Sequence, residues 1–91
     1  MWQFRLTGSA ERDIQKLSPP VARRVKERLL WFIDNFEETT PFPLGGMWQG
    51  FFKLRVGDWR VVYEVKERER VVIVHVVEKR DKVYKHTPPR K

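Results

Sequence analysis

Trp2, Phe4 and Leu6 alternate with Gln3 and Arg5, the two-residue period of a half-buried β-strand over residues 2–6. The period then changes. Ala10, Ile14 and Leu17 fall on one face of a helix that Thr7 or Ser9 caps, with Glu11 and Asp13 suited to its positive end. Ser18, Pro19 and Pro20 stop that helix and start a second, since proline fits a first turn. In the second helix Val21, Val25, Leu29, Phe32 and Phe36 recur three or four residues apart, and Ala22, Leu30 and Ile33 widen the stripe. Arg23, Arg24, Lys26, Glu27 and Arg28 form the opposite, solvated face. Residues 38–50, with two prolines and three glycines, predict a loop. Strands follow over about 51–56, 59–66 and 71–77, the last apolar on both faces and so expected at the centre of a sheet. The pattern predicts an α+β domain: an N-terminal strand, a two-helix hairpin, then a three-stranded antiparallel meander, with the helices packed on one face of the sheet. Residues 1–86 form that domain and 87–91 a short basic tail expected to fray.

Gly57 and Asp58 make a two-residue hairpin turn with glycine at the first central position. Such a turn fixes the register. Val56 faces Trp59, Leu54 faces Val61 and Phe52 faces Tyr63, which gives an apolar face for the helices. On the other face Arg55 lies directly opposite Arg60, and Lys53 opposite Val62. Like charges directly opposed destabilise a sheet. Glu64, diagonal to Lys53, is placed to relieve part of the repulsion. Long cationic side chains splaying into water account for such a row. So does a preorganised phosphate site, whose repulsion disappears when an anion binds.

Charge distribution sharpens the choice. The net charge of +7 is uneven: residues 1–50 hold seven Lys/Arg against six Asp/Glu, and residues 51–91 hold twelve against six. A one-sided basic field favours a polyanion or an acidic partner. The chain has no cysteine, so disulfide frameworks and thiol chemistry are excluded. No apolar run has the length of a signal peptide or of a membrane span, which makes a cytosolic protein the expectation. No carboxylate/histidine set has metal-ligand spacing. Gly45 and Gly46 are not a phosphate cradle, and no cofactor signature is present. His75 sits mid-strand as a packing residue, and no Glu/His or His/His pair stands out for proton transfer. Trp59 belongs to the core face. Trp48 covers the core or contacts a partner, and Trp31 faces solvent, a protein or the sheet edge.

The stretch GFFKLRVGDWRVVYEV, followed by a turn, a valine-rich strand and EKRDKVY, resembles the RelE/ParE superfamily of toxins from type II toxin–antitoxin pairs. The likeness extends to AERDIQKL and PFPLGG and covers about residues 2–84. The resemblance implies that this chain is a RelE-like mRNA endonuclease acting in the ribosomal A site, with an antitoxin as partner and no cofactor. It assigns Lys53, Arg55, Arg60, Arg80 and Tyr84 to catalysis. Lys79, Lys82 and Lys85 of the same C-terminal segment are RNA-binding candidates. Lys79 stands where relatives often have histidine, and Arg55 where the best-known branch has lysine. Among these, the arginines stay protonated and suit charge neutralisation. Like charge is expected to lower the pKa of Lys53, which makes it the base. Tyr84 stacks on a base or orients the 2′-hydroxyl; without the resemblance it reads as a terminal anchor. The antitoxin covers the basic patch or displaces the Tyr84 segment. Two other functions remain open: a ParE-like inhibitor of DNA gyrase, and a basic binding domain that has lost catalysis.

Overall fold

A computed structural model describes residues 1–85, 87 and 88. Of the tail expected to fray, 87–91, residues 89–91 lie outside the described residues, as does His86 at the end of the expected domain. The elements run β1 (Gln3–Leu6), α1 (Gly8–Gln15), α2 (Pro19–Asp34), β2 (Phe42–Pro43), β3 (Phe52–Val56), β4 (Trp59–Lys66) and β5 (Val71–Lys79). Three short helical turns, Phe36–Glu38, Gly46–Trp48 and Val83–Lys85, punctuate the connections. One five-stranded sheet has the order β1-β5-β4-β3-β2.

The expected class holds, and so does the central place of β5. The sheet is mixed, however, because β1 pairs parallel with β5, Gln3 beside Val71 and Leu6 beside Val74. A parallel neighbour is reached only by a crossover, and here both helices and the meander lie between the two strands. The sixteen-residue α2 and the apolar alternation of β1 do not reveal that pairing locally. β2 was expected to be loop. It is two residues long, and Pro43 lies on the sheet's outermost edge, where a missing N–H does no harm.

Local signals explain the helices. Thr7 Oγ1 accepts from Ala10 N–H at 3.1 Å, so Thr7 rather than Ser9 is the cap of α1. Ser18 holds the cap position of α2 in extended conformation without a side-chain capping bond, and Pro19 opens the helix. Val25, Leu29 and Phe32 of α2 are buried against the sheet together with Phe36 from the following turn, Leu54, Val61, Tyr63, Val72, Val74 and Val77. Phe32 meets both Phe36 and Tyr63 with ring centroids 5.2 Å apart. Leu30, expected to widen the stripe, is exposed instead, as is Trp31 beside it. The buried face of α2 is therefore narrower than its apolar composition.

The opposite face of the sheet carries a second cluster: Trp48, Phe51, Val62, Val76 and Val83, with Leu44 against it. The proline- and glycine-rich segment and the C-terminal turn together cover this side. That explains why β5 is apolar on both faces. A bulge leaves His75 as the extra residue, since Val62 pairs with Val76 but Tyr63 with Val74. Two residues beyond it, Val77 N–H donates to Asp13 Oδ2 at 2.9 Å and ties α1 to the strand. Asp13 thus acts as a tertiary clamp rather than as a helix-end charge alone. Among the described residues no helix is long and apolar enough to cross a membrane.

Two substitutions test this packing. Asp13→Ala removes a charged hydrogen bond to a β5 amide and should lower unfolding free energy by about 1–2 kcal/mol, measured by denaturant titration. Tyr63→Phe should do the reverse. The Tyr63 hydroxyl is buried without a hydrogen-bond partner, and burial pushes its phenol well above the ordinary range. Removing it should stabilise the fold by roughly 1 kcal/mol, and a loss of stability would mean that the hydroxyl is bonded.

Candidate nucleic-acid site

The β3–β4 hairpin has the register that the turn requires. Phe52 pairs with Tyr63, Leu54 with Val61 and Val56 with Trp59, while Arg55 is directly opposite Arg60 and Lys53 opposite Val62. Gly57 has φ 59°, the left-handed conformation that a primed hairpin turn needs at its first central position.

Arg60 shows how the like-charge row is tolerated. It is only 8% exposed. Its Nη1 donates to the carbonyls of Gly57 and Trp59, both at 2.9 Å, so the guanidinium closes the turn that positions it. Across the sheet Arg60 lies between Arg55 on β3 and Glu78 on β5, and the row carries a carboxylate as well as two cations. The anion expected to relieve the repulsion, Glu64, is engaged elsewhere. Its Oε1 lies 2.7 Å from His75 Nε2 and its Oε2 3.7 Å from Lys66 Nζ.

The sequence made no Glu/His pair evident for proton transfer, but the structure brings Glu64 and His75 together. Sequence spacing hid it, because the two residues meet across β4 and β5 at the bulge. His75 is packed, as expected, with its ring edge-on to Phe51. Both side chains are nearly buried. Val62, which is fully buried in the far-face cluster, separates Glu64 from Arg60 along β4. The pair therefore braces the bulge away from the cationic row.

The contacts take the five assigned residues in different directions. Lys53 Nζ sits 4.3 Å from the centroid of the Phe42 ring on β2, a cation–π contact at the outer edge of the sheet. Arg55 is exposed and lines a groove with Arg24, Arg28 and Trp31 of α2. Arg60 and Tyr84 come together, for the Arg60 charge acts on the Tyr84 phenol. Arg80 is exposed, and its N–H donates to Asp58 O at 2.9 Å, which fixes the end of β5 beside the hairpin turn. From there Lys82 N–H bonds Lys79 O and Lys85 N–H bonds Lys82 O, winding the chain into the Val83–Lys85 turn. Val83 is buried, so this turn is anchored to the far-face cluster and Tyr84 is held over the sheet.

Lys79, Lys82 and Lys85 are exposed on this segment, with Lys79 Nζ 5.9 Å from the Trp59 ring centroid. Tyr84 stands edge-on to Trp48, centroids 6.1 Å apart, and is 43% exposed. Trp48 is thus the aromatic residue beneath the site. Its place was open in the sequence because its partner, Tyr84, is far along the chain. Among the described residues no group of three or more His, Asp or Glu side chains is placed to hold a metal ion.

The family model described as the ParE toxin of type II toxin–antitoxin systems, parDE, matches residues 4–83. Toxin RelE of Mycobacterium tuberculosis is 31% identical over 90 residues, spanning 98% of this chain and 92% of its own. A chain in the crystal structure of the toxin–antitoxin complex RelBE2 from Mycobacterium tuberculosis superposes with a TM-score of 0.78 at 26% identity, over 87% of this chain and 98% of that one. The isolated E. coli RelE toxin shares the fold with a TM-score of 0.71 at 22% identity, over 100% of this chain and 88% of that one.

The electrostatics of the site are open to titration. Partial burial raises the Tyr84 phenol above its ordinary pKa, and the Arg60 guanidinium partly offsets the rise. The chain has two tyrosines, so an ultraviolet titration should show Tyr84 ionising first, above about pH 10, and Tyr63 only as the fold opens. Arg60→Met should move the Tyr84 transition to still higher pH. An unchanged transition would separate the two groups.

Proposed function

The chain belongs to the ParE toxin family of type II toxin–antitoxin systems, and from that premise we propose that it is a ribosome-dependent endoribonuclease that cuts messenger RNA without a metal. The observation that supports this reading is that Arg55 lies opposite Arg60, whose charge acts on the Tyr84 phenol, while the backbone of Arg80 is tied to the hairpin turn at Asp58 O. The likeness to a curated RelE toxin supports the same branch.

In the proposed reaction the 2′-hydroxyl of one nucleotide attacks the adjacent phosphorus. The bond to the 5′-oxygen breaks, leaving a 2′,3′-cyclic phosphate and a 5′-hydroxyl. Negative charge builds on the phosphorane, and preorganised cations stabilise that state more than the ground state. Arg60, locked onto the turn carbonyls, supplies a fixed charge, and the exposed Arg55 adds a movable one. Lys53 is the base for the 2′-hydroxyl, because an ammonium gives up its proton far more readily than a guanidinium. Arg80 stabilises the charge on the departing 5′-oxygen, which takes its proton from water to become the 5′-hydroxyl, while the proton removed by Lys53 returns to solvent. Tyr84, protonated at neutral pH like any tyrosine, orients the 2′-hydroxyl or stacks on a base. Lys79, Lys82 and Lys85 follow the RNA backbone. The site of action is the cytoplasm, on translating ribosomes.

A cognate antitoxin completes the system. Relatives of 26% identity were crystallised as the toxin–antitoxin complexes RelBE2 and E. coli RelBE. An acidic antitoxin segment over the basic hairpin blocks RNA directly. One specific observation favours a second target: the matched family model is that of ParE toxins, for which the corresponding proposal is inhibition of DNA gyrase.

Mapping of messenger 5′ ends after induction separates the two. The nuclease reading expects codon-phased cuts with 5′-hydroxyl ends in translated messages. It also expects Arg80→Ala, an exposed substitution, to lower cleavage about 100-fold with the fold intact. Intact messages, together with supercoiling blocked by the purified protein, would replace it with the gyrase reading.

A further inference from the structure

Tyr63 keeps a hydroxyl that the fold does not use. The residue is 1% exposed, and its hydroxyl is buried without a hydrogen-bond partner. Phe52 stacks on its ring with centroids 5.6 Å apart, and Phe32 packs against it at 5.2 Å. Those neighbours supply packing but no acceptor. Phenylalanine would fill the same space without the cost of a desolvated hydroxyl. Tyr63 also forms part of the wall of a cavity of about 200 Å³, where α2, residues 39–42 and the edge of β3 meet. We propose that this cavity binds a small aromatic carboxylate whose second polar group pairs with the Tyr63 hydroxyl. So occupied, it withholds Lys53 and Arg55 from RNA. That consequence rests on the RNA-cutting reading, and the binding itself does not.

The walls specify the parts of the ligand. Phe32, Pro41, Phe42 and Leu54 make an apolar lining. Phe42 is 59% exposed, so an entering aromatic ring has a ring to meet. Arg28, Lys53 and Arg55 bring three cations, and none of the lining residues is a carboxylate. Among the described residues no carboxylate lies within ion-pair distance of any of the three. Arg28 lies instead over the Trp31 ring at 4.6 Å, and Lys53 over the Phe42 ring at 4.3 Å. Unneutralised cations around an apolar cavity favour an anion with an apolar body, and a guanidinium matches a carboxylate with two parallel bonds. The volume is below the roughly 300–1,000 Å³ of pockets for drug-sized ligands, which suits a single ring.

Lys53 and Arg55 belong both to this cavity and to the cationic row on β3. A carboxylate bound to them offsets charge that the RNA phosphate needs, so a filled cavity and a bound message compete for the same two side chains. Arg28 takes no part in the proposed chemistry, and its substitution therefore reports on the cavity alone. Tyr63 is equally separate from that chemistry, because it faces the helices with Leu54 and Val61.

The probe is 4-hydroxybenzoate, one ring with a hydroxyl opposite its carboxylate. Titrated into the wild-type protein, it should shift the Tyr63 and Phe42 ring resonances and saturate below about 1 mM. Benzoate, which lacks the hydroxyl, should bind roughly fivefold more weakly. Tyr63→Phe should bind the two compounds equally. Arg28→Met should weaken both about tenfold and leave phenol, which has no carboxylate, unaffected. In a translation extract, saturating 4-hydroxybenzoate should slow message cutting by the wild-type toxin about tenfold or more. Resonances that stay still well above that concentration would overturn the proposal, as would a preference for the hydroxyl that survives in Tyr63→Phe. If no probe binds while bound antitoxin shifts both rings, the cavity receives a partner's side chain and the proposal fails. Binding that leaves cutting unchanged would remove the link to Lys53 and Arg55. A wild-type protein that cuts no message would instead remove the nuclease reading, and the titrations would still decide the cavity.

Discussion

The tight turn at Gly57 and Asp58 is the constraint on which the rest of the site depends. It aligns β3 with β4, places Leu54, Val56, Trp59 and Val61 toward the helices, and leaves Arg55 and Arg60 side by side on the other face. Arg60 then bonds back to the Gly57 and Trp59 carbonyls. Turn and charge therefore hold each other: the turn fixes where the guanidinium is, and the guanidinium satisfies carbonyls that the turn leaves over. The Asp58 carbonyl accepts from Arg80, so the end of β5 is tied to the same point. Three arginines distant by up to 25 positions in sequence thus depend on one bend.

A two-sided sheet supplies the second element of the site. The helices cover one face. On the other, the Gly46–Trp48 turn and the Val83–Lys85 turn pack around Val62 and Val76. Trp48 of this small cluster stands against Tyr84, Phe51 against His75, and Val62 lies between Arg60 and Glu64 along β4. A cationic surface built over a small apolar core is rigid where preorganisation matters, while Arg55 and Arg80 stay exposed and able to adjust to a ligand.

Much of this was legible in the sequence, and what was not has a common cause. The helices, the meander and the hairpin register follow from periodicity and turn chemistry, which are local. The parallel β1–β5 pairing, the two-residue β2, the bulge at His75 and the Glu64–His75 contact are decided by tertiary neighbours. Leu30 has a helical apolar position yet faces solvent, because the sheet covers only part of α2. The assigned cations lie where the turn predicts them by register. Two side-chain partners were hidden: Phe42 for Lys53 and the turn carbonyls for Arg60. Tyr84 could be told from a plain terminal anchor only once Trp48 and Arg60 were seen beside it.

The most direct measurement is a structure of the toxin on a ribosome whose message carries a 2′-deoxy nucleotide at the cut, so that attack cannot occur. The account predicts one phosphate within hydrogen-bond reach of both Arg55 and Arg60, with Arg60 still bonded to the turn. A message phosphate seated away from both guanidinium groups would contradict it.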